Sequence, residues 1–185
     1  MAKSTVKEIL KFSSDSGVYM GLYLTAMSAC ILLSMKIPSL PLLLLPLMAG
    51  TPVILWLLLR PLARRDAGNM TLFPLWLAGI YIFIFGTLVC GLFSAAYLLF
   101  ADPTFISTYV RSSVEAVEAS PELAAAMAPQ LETMREALGR NIIPSPMQYT
   151  TMMMWTTAFF GSILSLLVAA AMTFTGRMRR TPADV

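Results

Sequence analysis

Apolar residues in this chain do not alternate with polar ones; they run together. Four stretches, 16–35, 37–59, 69–101 and 141–176, hold no charged residue. Each reaches the about 20 apolar residues that a helix needs to cross a bilayer. The pattern predicts an all-α membrane protein with transmembrane helices over about 16–35, 38–59, 71–100 and 146–175. The first stretch is longer than the apolar core of a secretory signal and no small-residue cleavage pattern follows it, so it reads as a span. The second is Leu-rich and contains Pro46 and Pro52, which bend a spanning helix while neighbours satisfy the freed carbonyl. Only Lys36 and Pro38 lie near the turn between these two, so they are expected to form a tight antiparallel pair. The last two spans are about 30 residues each, or about 45 Å at about 1.5 Å per residue. A hydrocarbon core is about 30 Å thick, so both are expected to project beyond the outer face and carry the insert between them.

That insert, 102–145, is the one soluble-like part, with six of the ten acidic residues and three Arg. Asp102-Pro103 has the form of a helix start, and Ser120-Pro121-Glu122 is a second. Ile106, Val110, Ser113, Val114 and Val117 recur at helical spacing, and Leu123, Met127, Leu131, Met134 and Leu138 form an apolar stripe. Pro129 interrupts that second pattern and should kink or split it; Gly139 ends it. Ser145-Pro146-Met147-Gln148 reads as a capping box opening the last span. The expectation is an extracytoplasmic amphipathic helical hairpin between helices three and four. Its stripe either packs on 103–118 and the outer ends of the spans or offers a Met-rich docking face to a partner or to lipid.

Basic residues set the orientation. Nine of thirteen Lys and Arg lie in the N-terminal lead 1–15, the 60–68 loop and the tail 177–185, against Lys36, Arg111, Arg135 and Arg140 on the other side. The positive-inside rule then puts both termini in the cytoplasm and 102–145 outside. Tyr19, Tyr23, Trp56 and Trp76 fall toward the cytoplasmic ends of their spans, Tyr97 and Tyr149 toward the other. Lys3, Lys7 and Lys11 alternate with Val6, Ile9, Leu10 and Phe12 in the lead, which reads equally as a short helix on the membrane or as a basic tail. The expected organisation is therefore a basic lead 1–15, a four-helix membrane domain 16–176 that includes the insert, and a basic tail 177–185.

Composition removes several function classes. Only 12% of the residues are charged, against about 25% in soluble domains, and the basic residues belong to the membrane ends rather than to a nucleic-acid-binding face. There is no histidine, so the commonest general base and metal ligand is missing. The cysteines, Cys30 and Cys90, lie inside apolar spans as small hydrophobes. No P-loop, dinucleotide turn or nucleophile elbow is present; no catalytic residue, cofactor or metal is expected.

Small residues recur at four-residue spacing instead: Gly17 and Gly21 with Thr25 and Ala29, then Gly86 and Cys90, then Gly161, Ser165 and Ala169. Such spacing lets helices approach closely, inside one bundle or between two copies. The in-span polar groups are hydroxyls, which bond to their own helix by default and would line a pore only by exception.

SGVYMGLYL opening span one, the Pro-interrupted second span ending RPLARRD, TLFPLWLAGIYIFIFG leading to LLFADPTFI, and PSPMQ before the last span resemble the family called domain of unknown function 4199, over roughly 16–175. The resemblance implies an inner-membrane protein of Gram-negative bacteria, with membrane glycosyltransferases as possible partners; it carries over no catalytic or ligand residue. The expected function is a non-enzymatic accessory or scaffolding subunit that binds another membrane protein, or associates with itself, in the lipid bilayer. The alternative is a small oligomeric transporter or channel.

Overall fold

The computed structural model describes residues 3–37, 39–65, 71–140, 142 and 144–178. The end of the 60–68 loop and most of the basic tail 177–185 lie outside the described residues. The described chain is helical, with no strand among those residues: α1 (Lys3–Leu32), α2 (Leu40–Arg65), α3 (Leu72–Ala96) running into a π-helical turn (Tyr97–Ala101), α4 (Phe105–Glu118), α5 (Pro121–Ala126), α6 (Ala128–Gly139) and α7 (Pro146–Met178). Three helical segments among them, Leu40–Arg64, Leu72–Ala101 and Pro146–Thr175, are long and apolar enough to cross a membrane. These correspond to the second, third and fourth of the expected spans.

The first differs. α1 begins at Lys3 and passes through the charged lead without a break. Its charge-free part stops at Leu32, where a turn begins, which leaves about 25 Å of apolar helix at about 1.5 Å per residue. The lead is helical because it has a face to bury: Ile9, Ser13, Ser16, Met20 and Leu24 are buried at steps of three and four. Lys7, Glu8, Lys11 and Asp15 point elsewhere and are exposed. The charged lead and the apolar stretch after it are thus one helix, amphipathic at its start and apolar beyond.

Two compact units divide the chain: Met1–Phe93 with Met153–Val185, and Ser94–Met152. In the first unit, Ile9, Met20, Leu55, Leu59, Ala78, Ile82, Phe83 and Ala169 belong to one core drawn from α1, α2, α3 and α7. α2 keeps Pro46, Pro52 and Pro61 inside its length. Proline lacks the N–H that would close the helical bond and loosens the preceding turn. α1 reinforces that stretch: the Tyr23 hydroxyl donates to the Leu47 carbonyl, which also accepts from Thr51 Oγ1 at 3.2 Å. Gly50 leaves room for this contact, since a Cβ there would stand 2.9 Å from the Tyr23 hydroxyl.

In the second unit, Asp102-Pro103 does not start a helix. The Asp102 N–H donates to the Tyr97 carbonyl at 3.0 Å and so closes the π turn. Asp102 Oδ1 accepts from the Thr104 hydroxyl at 3.1 Å, and α4 starts only at Phe105 with Thr104 as its cap residue. Between them the Phe105 N–H donates to the Asp102 carbonyl at 3.2 Å, a turn that delays α4 by two residues relative to the motif. Ser120 does stand in extended backbone before Pro121 at the start of α5. The second pattern splits at Met127, and Pro129 occupies the first turn of α6. The capping box is also formed: Ser145 N–H donates to Gln148 Oε1 at 3.0 Å, and Gln148 N–H donates to Ser145 Oγ at 3.3 Å.

Candidate functional site

The small residues of the first unit are where its helices meet. A Cβ added to Gly17 would fall 2.5 Å from Phe85 Cβ and 3.3 Å from the Ile82 carbonyl oxygen. One added to Gly21 would fall 2.6 Å from Val89 Cβ and 3.1 Å from the Gly86 carbonyl oxygen. Gly86 returns the contact, with Gly21 N and Met20 Cβ each 3.3 Å from its own absent Cβ. Gly17, Gly21 and Gly86 thus make one α1–α3 contact, too close for any side chain to intervene.

Gly161 and Ser165 make a second contact, between α7 and α3. The Phe83 ring covers Gly161, and Ser165 Cβ would be 2.7 Å from a Cβ on Gly79. Ser165 is fully buried, and its hydroxyl donates to the Gly161 carbonyl at 2.7 Å. Trp76 Nε1–H donates to the Ser162 carbonyl at 3.2 Å, tying the same two helices. Five of the small residues singled out by spacing, Gly17, Gly21, Gly86, Gly161 and Ser165, therefore lie at helix–helix contacts.

Ser13 was missed by that spacing argument. It is fully buried, and its hydroxyl donates to the Ala78 carbonyl at 3.3 Å. The signal was available: Ser13 stands four positions before Gly17, so the small-residue series runs 13, 17, 21 and begins inside the charged lead. The charge around it hid the packing residue.

The stripe of the second unit is divided. Leu131 is 8% exposed, whereas Leu123 is 51%, Met134 is 40% and Met127 is 37% exposed; Leu138 is half-buried. α6 packs back on α4, and Arg135 fastens the two, with Nε and Nη2 at 2.8 and 2.7 Å from Glu118 Oε1. Phe105 and Tyr109 stack on α4 at 5.7 Å between ring centroids. Turning α6 so that Arg135 reaches Glu118 brings Leu131 into the contact and leaves the Met127 and Met134 edge outside it.

Several threonine hydroxyls within the helices bond locally. Thr25 donates to Gly21, Thr87 to Ile84, Thr150 to Pro146 and Thr173 to Ala169, each to a carbonyl of its own helix. Among the described residues no group of three His, Cys, Asp or Glu side chains is arranged to hold a metal ion.

The family model described as Protein of unknown function (DUF4199) matches residues 15–173. The chain belongs to this family. The match takes in all five small contact residues and the whole insert, and it begins at Asp15, midway along α1. No curated protein and no solved structure matches the chain.

Proposed function

We propose that this family member is a four-span protein of a bacterial inner membrane, with both ends cytoplasmic, that serves as a non-enzymatic accessory subunit for another membrane protein. Four spans are favoured by the company of α1. Its charge-free part runs beside α3 at glycine contacts, the packing that spanning helices use. The basic residues, nine against four, favour the orientation. A cysteine introduced as Ser120→Cys, in a background with Cys30 and Cys90 replaced by Ala, should react with an impermeant maleimide in spheroplasts. One introduced as Ala183→Cys should react only after lysis, and the reverse labelling would overturn the orientation.

The accessory role is carried by the divided stripe of α5 and α6. Leu123, Met127 and Met134 stay exposed beside a buried Leu131, and unbranched Met side chains adapt to a partner's apolar surface. The partner is therefore a membrane protein with an apolar extracytoplasmic patch, and membrane glycosyltransferases are the class to test first. The double substitution Leu123→Glu with Met134→Glu touches only exposed positions. It should leave the melting temperature in mild detergent unchanged while a stoichiometric membrane protein, present with the wild type, no longer co-purifies. Equal recovery of that protein by both forms would overturn the role of this edge. A discrete homo-oligomer that passes solute in liposomes would overturn the accessory reading itself.

A further inference from the structure

The contacts of α1 with α3 fix a register, and the register carries charge to an informative depth. Ser13 meets Ala78, Gly17 meets Ile82 and Phe85, and Gly21 meets Gly86 and Val89. The two helices are parallel, and a residue of α1 stands level with one 65 to 68 positions later. Lys7, Glu8, Lys11 and Asp15 are exposed on α1, so they stand beside the first nine or so residues of α3. Tyr23 meets Leu47 and Gly50 on α2, which continues from there to Arg60 and Arg64 beside the same stretch of α1. Arg60 lies over the Trp56 ring, 5.1 Å from its centroid, and Trp marks the membrane–water interface.

The apolar segment Leu72–Ala101 has 30 residues, about ten more than a core of about 30 Å needs. Sequence length alone leaves open which end holds the excess, and the projecting-insert expectation put it at the outer face. The register argues for the other end. If all of α3 lay in hydrocarbon, four charged side chains of α1 would lie on its lipid-facing surface, where charge is costly. If the hydrocarbon begins level with Ser16 and Tyr81 instead, those charges stand in the headgroup layer. About 20 apolar residues then remain on α3 before Asp102, about 30 Å of helix.

Resting on the four-span reading, we propose that the bundle end made by residues 3–15 of α1, 56–64 of α2, 72–80 of α3 and 165–175 of α7 is embedded in the lipid headgroup layer. Lys7, Lys11, Arg60 and Arg64 are its contacts to anionic lipid phosphates. Long basic side chains suit this place because their stems lie along apolar surface while their heads reach phosphate and water. Anionic headgroups attract such basic clusters.

The test uses the full chain with Cys30 and Cys90 replaced by Ala, reconstituted in liposomes of phosphatidylcholine with 30% phosphatidylglycerol. Nitroxide labels go on Phe73→Cys, Ile84→Cys and Leu88→Cys, three exposed positions of α3. Collision with oxygen and with a water-soluble nickel chelate gives their depth. The proposal expects Phe73→Cys to collide at least threefold more with the chelate than Leu88→Cys does, and Ile84→Cys and Leu88→Cys to favour oxygen. Equal, oxygen-rich exposure at all three would overturn it by moving the excess length to the other face. Chelate-rich exposure at all three would sink the membrane reading instead. For the phosphate contacts, a Lys7→Gln, Lys11→Gln, Arg60→Gln, Arg64→Gln variant should retain at least threefold less phosphatidylglycerol than wild type after detergent extraction, counted by native mass spectrometry, with phosphatidylcholine unchanged. Unchanged phosphatidylglycerol would overturn the basic residues as its ligands.

Discussion

The two units of this molecule solve the same problem, joining helix to helix, with opposite materials. Met1–Phe93 with Met153–Val185 joins its helices by removing side chains: Gly17, Gly21 and Gly86 bring α1 against α3, and Gly161 with Phe83 brings α7 against α3. Ser94–Met152 joins its helices by adding them. Leu131 enters the contact of α6 with α4, and Arg135 reaches across to Glu118. The difference follows from the solvent each sequence is patterned for. Where helices are apolar all round, burying another apolar group away from lipid gains little, and close backbone approach supplies the attraction through dispersion and local dipoles. Where helices carry charges on one face, water drives the other face together.

The largest effect expected is at Leu131. Leu131→Asp places a carboxylate at an 8% exposed site, and should destabilise the second unit by about 4 kcal/mol or more. Hydrogen exchange should show α4 and α6 opening while the amides of α1 stay protected. Loss of protection in both units together would break the comparison by showing that they fold as one.

Gly21→Ile should cost the first unit about 3 kcal/mol, at the upper end of overpacking effects, because Val89 Cβ and the Gly86 carbonyl already occupy the space of its first carbon. The readout is the melting temperature in mild detergent. Gly91→Ala should cost far less, since the atoms nearest its added Cβ all belong to the flexible Met154 side chain and thioether chains adapt. Equal losses at the two positions would mean that small residues act through something other than backbone approach. A lost dimer with an unchanged melting temperature would assign the Gly17–Gly21 face to self-association.

Tyr23→Phe removes the donor to the Leu47 carbonyl beside the proline-bent part of α2, and should cost about 1 kcal/mol. Its signature is faster exchange of α2 amides around Gly50 with α3 unaffected. The smallest effect expected is for Arg135→Ala. Its partner, Glu118, has a side chain 38% exposed and its own is 59% exposed, so the pair contributes about 0.2–1 kcal/mol. That loss should shrink further in 1 M salt, where charges are screened within about 3 Å; a salt-independent loss would mean that the arginine stem, not its charge, holds α6.

Much of this architecture was legible beforehand, and for identifiable reasons. Charge-free runs of sufficient length mark α2, α3 and α7, because soluble domains, with about a quarter of their residues charged, rarely hold them. The Ser145–Gln148 box and the Pro129 split were legible because capping and proline act within four residues. The small contact residues were legible as a series but not as pairs: nothing in the spacing says that Gly17 faces Phe85 or that Gly161 faces Phe83. Asp102 misled because it has the form of a cap, whereas a backbone turn from Asp102 to Phe105 stands between it and the start of α4.

The sequence by itself determined the helical class, three membrane-length apolar segments, the positions of the breaks between the insert helices, and the small-residue series. All of these rest on local rules, in which a residue and its neighbours within one or two turns carry the physics. Only the tertiary structure decided that the charged lead is part of α1, because its helicity comes from burying Ile9 and Ser13 against α2 and α3 residues far away in sequence. Only it decided that one residue of the insert stripe is core while its neighbours are surface, since burial depends on which face α6 turns toward α4. Only it set the register of α1 on α3, because apolar helices offer many near-equal alignments and the choice among them is made by which backbones can touch.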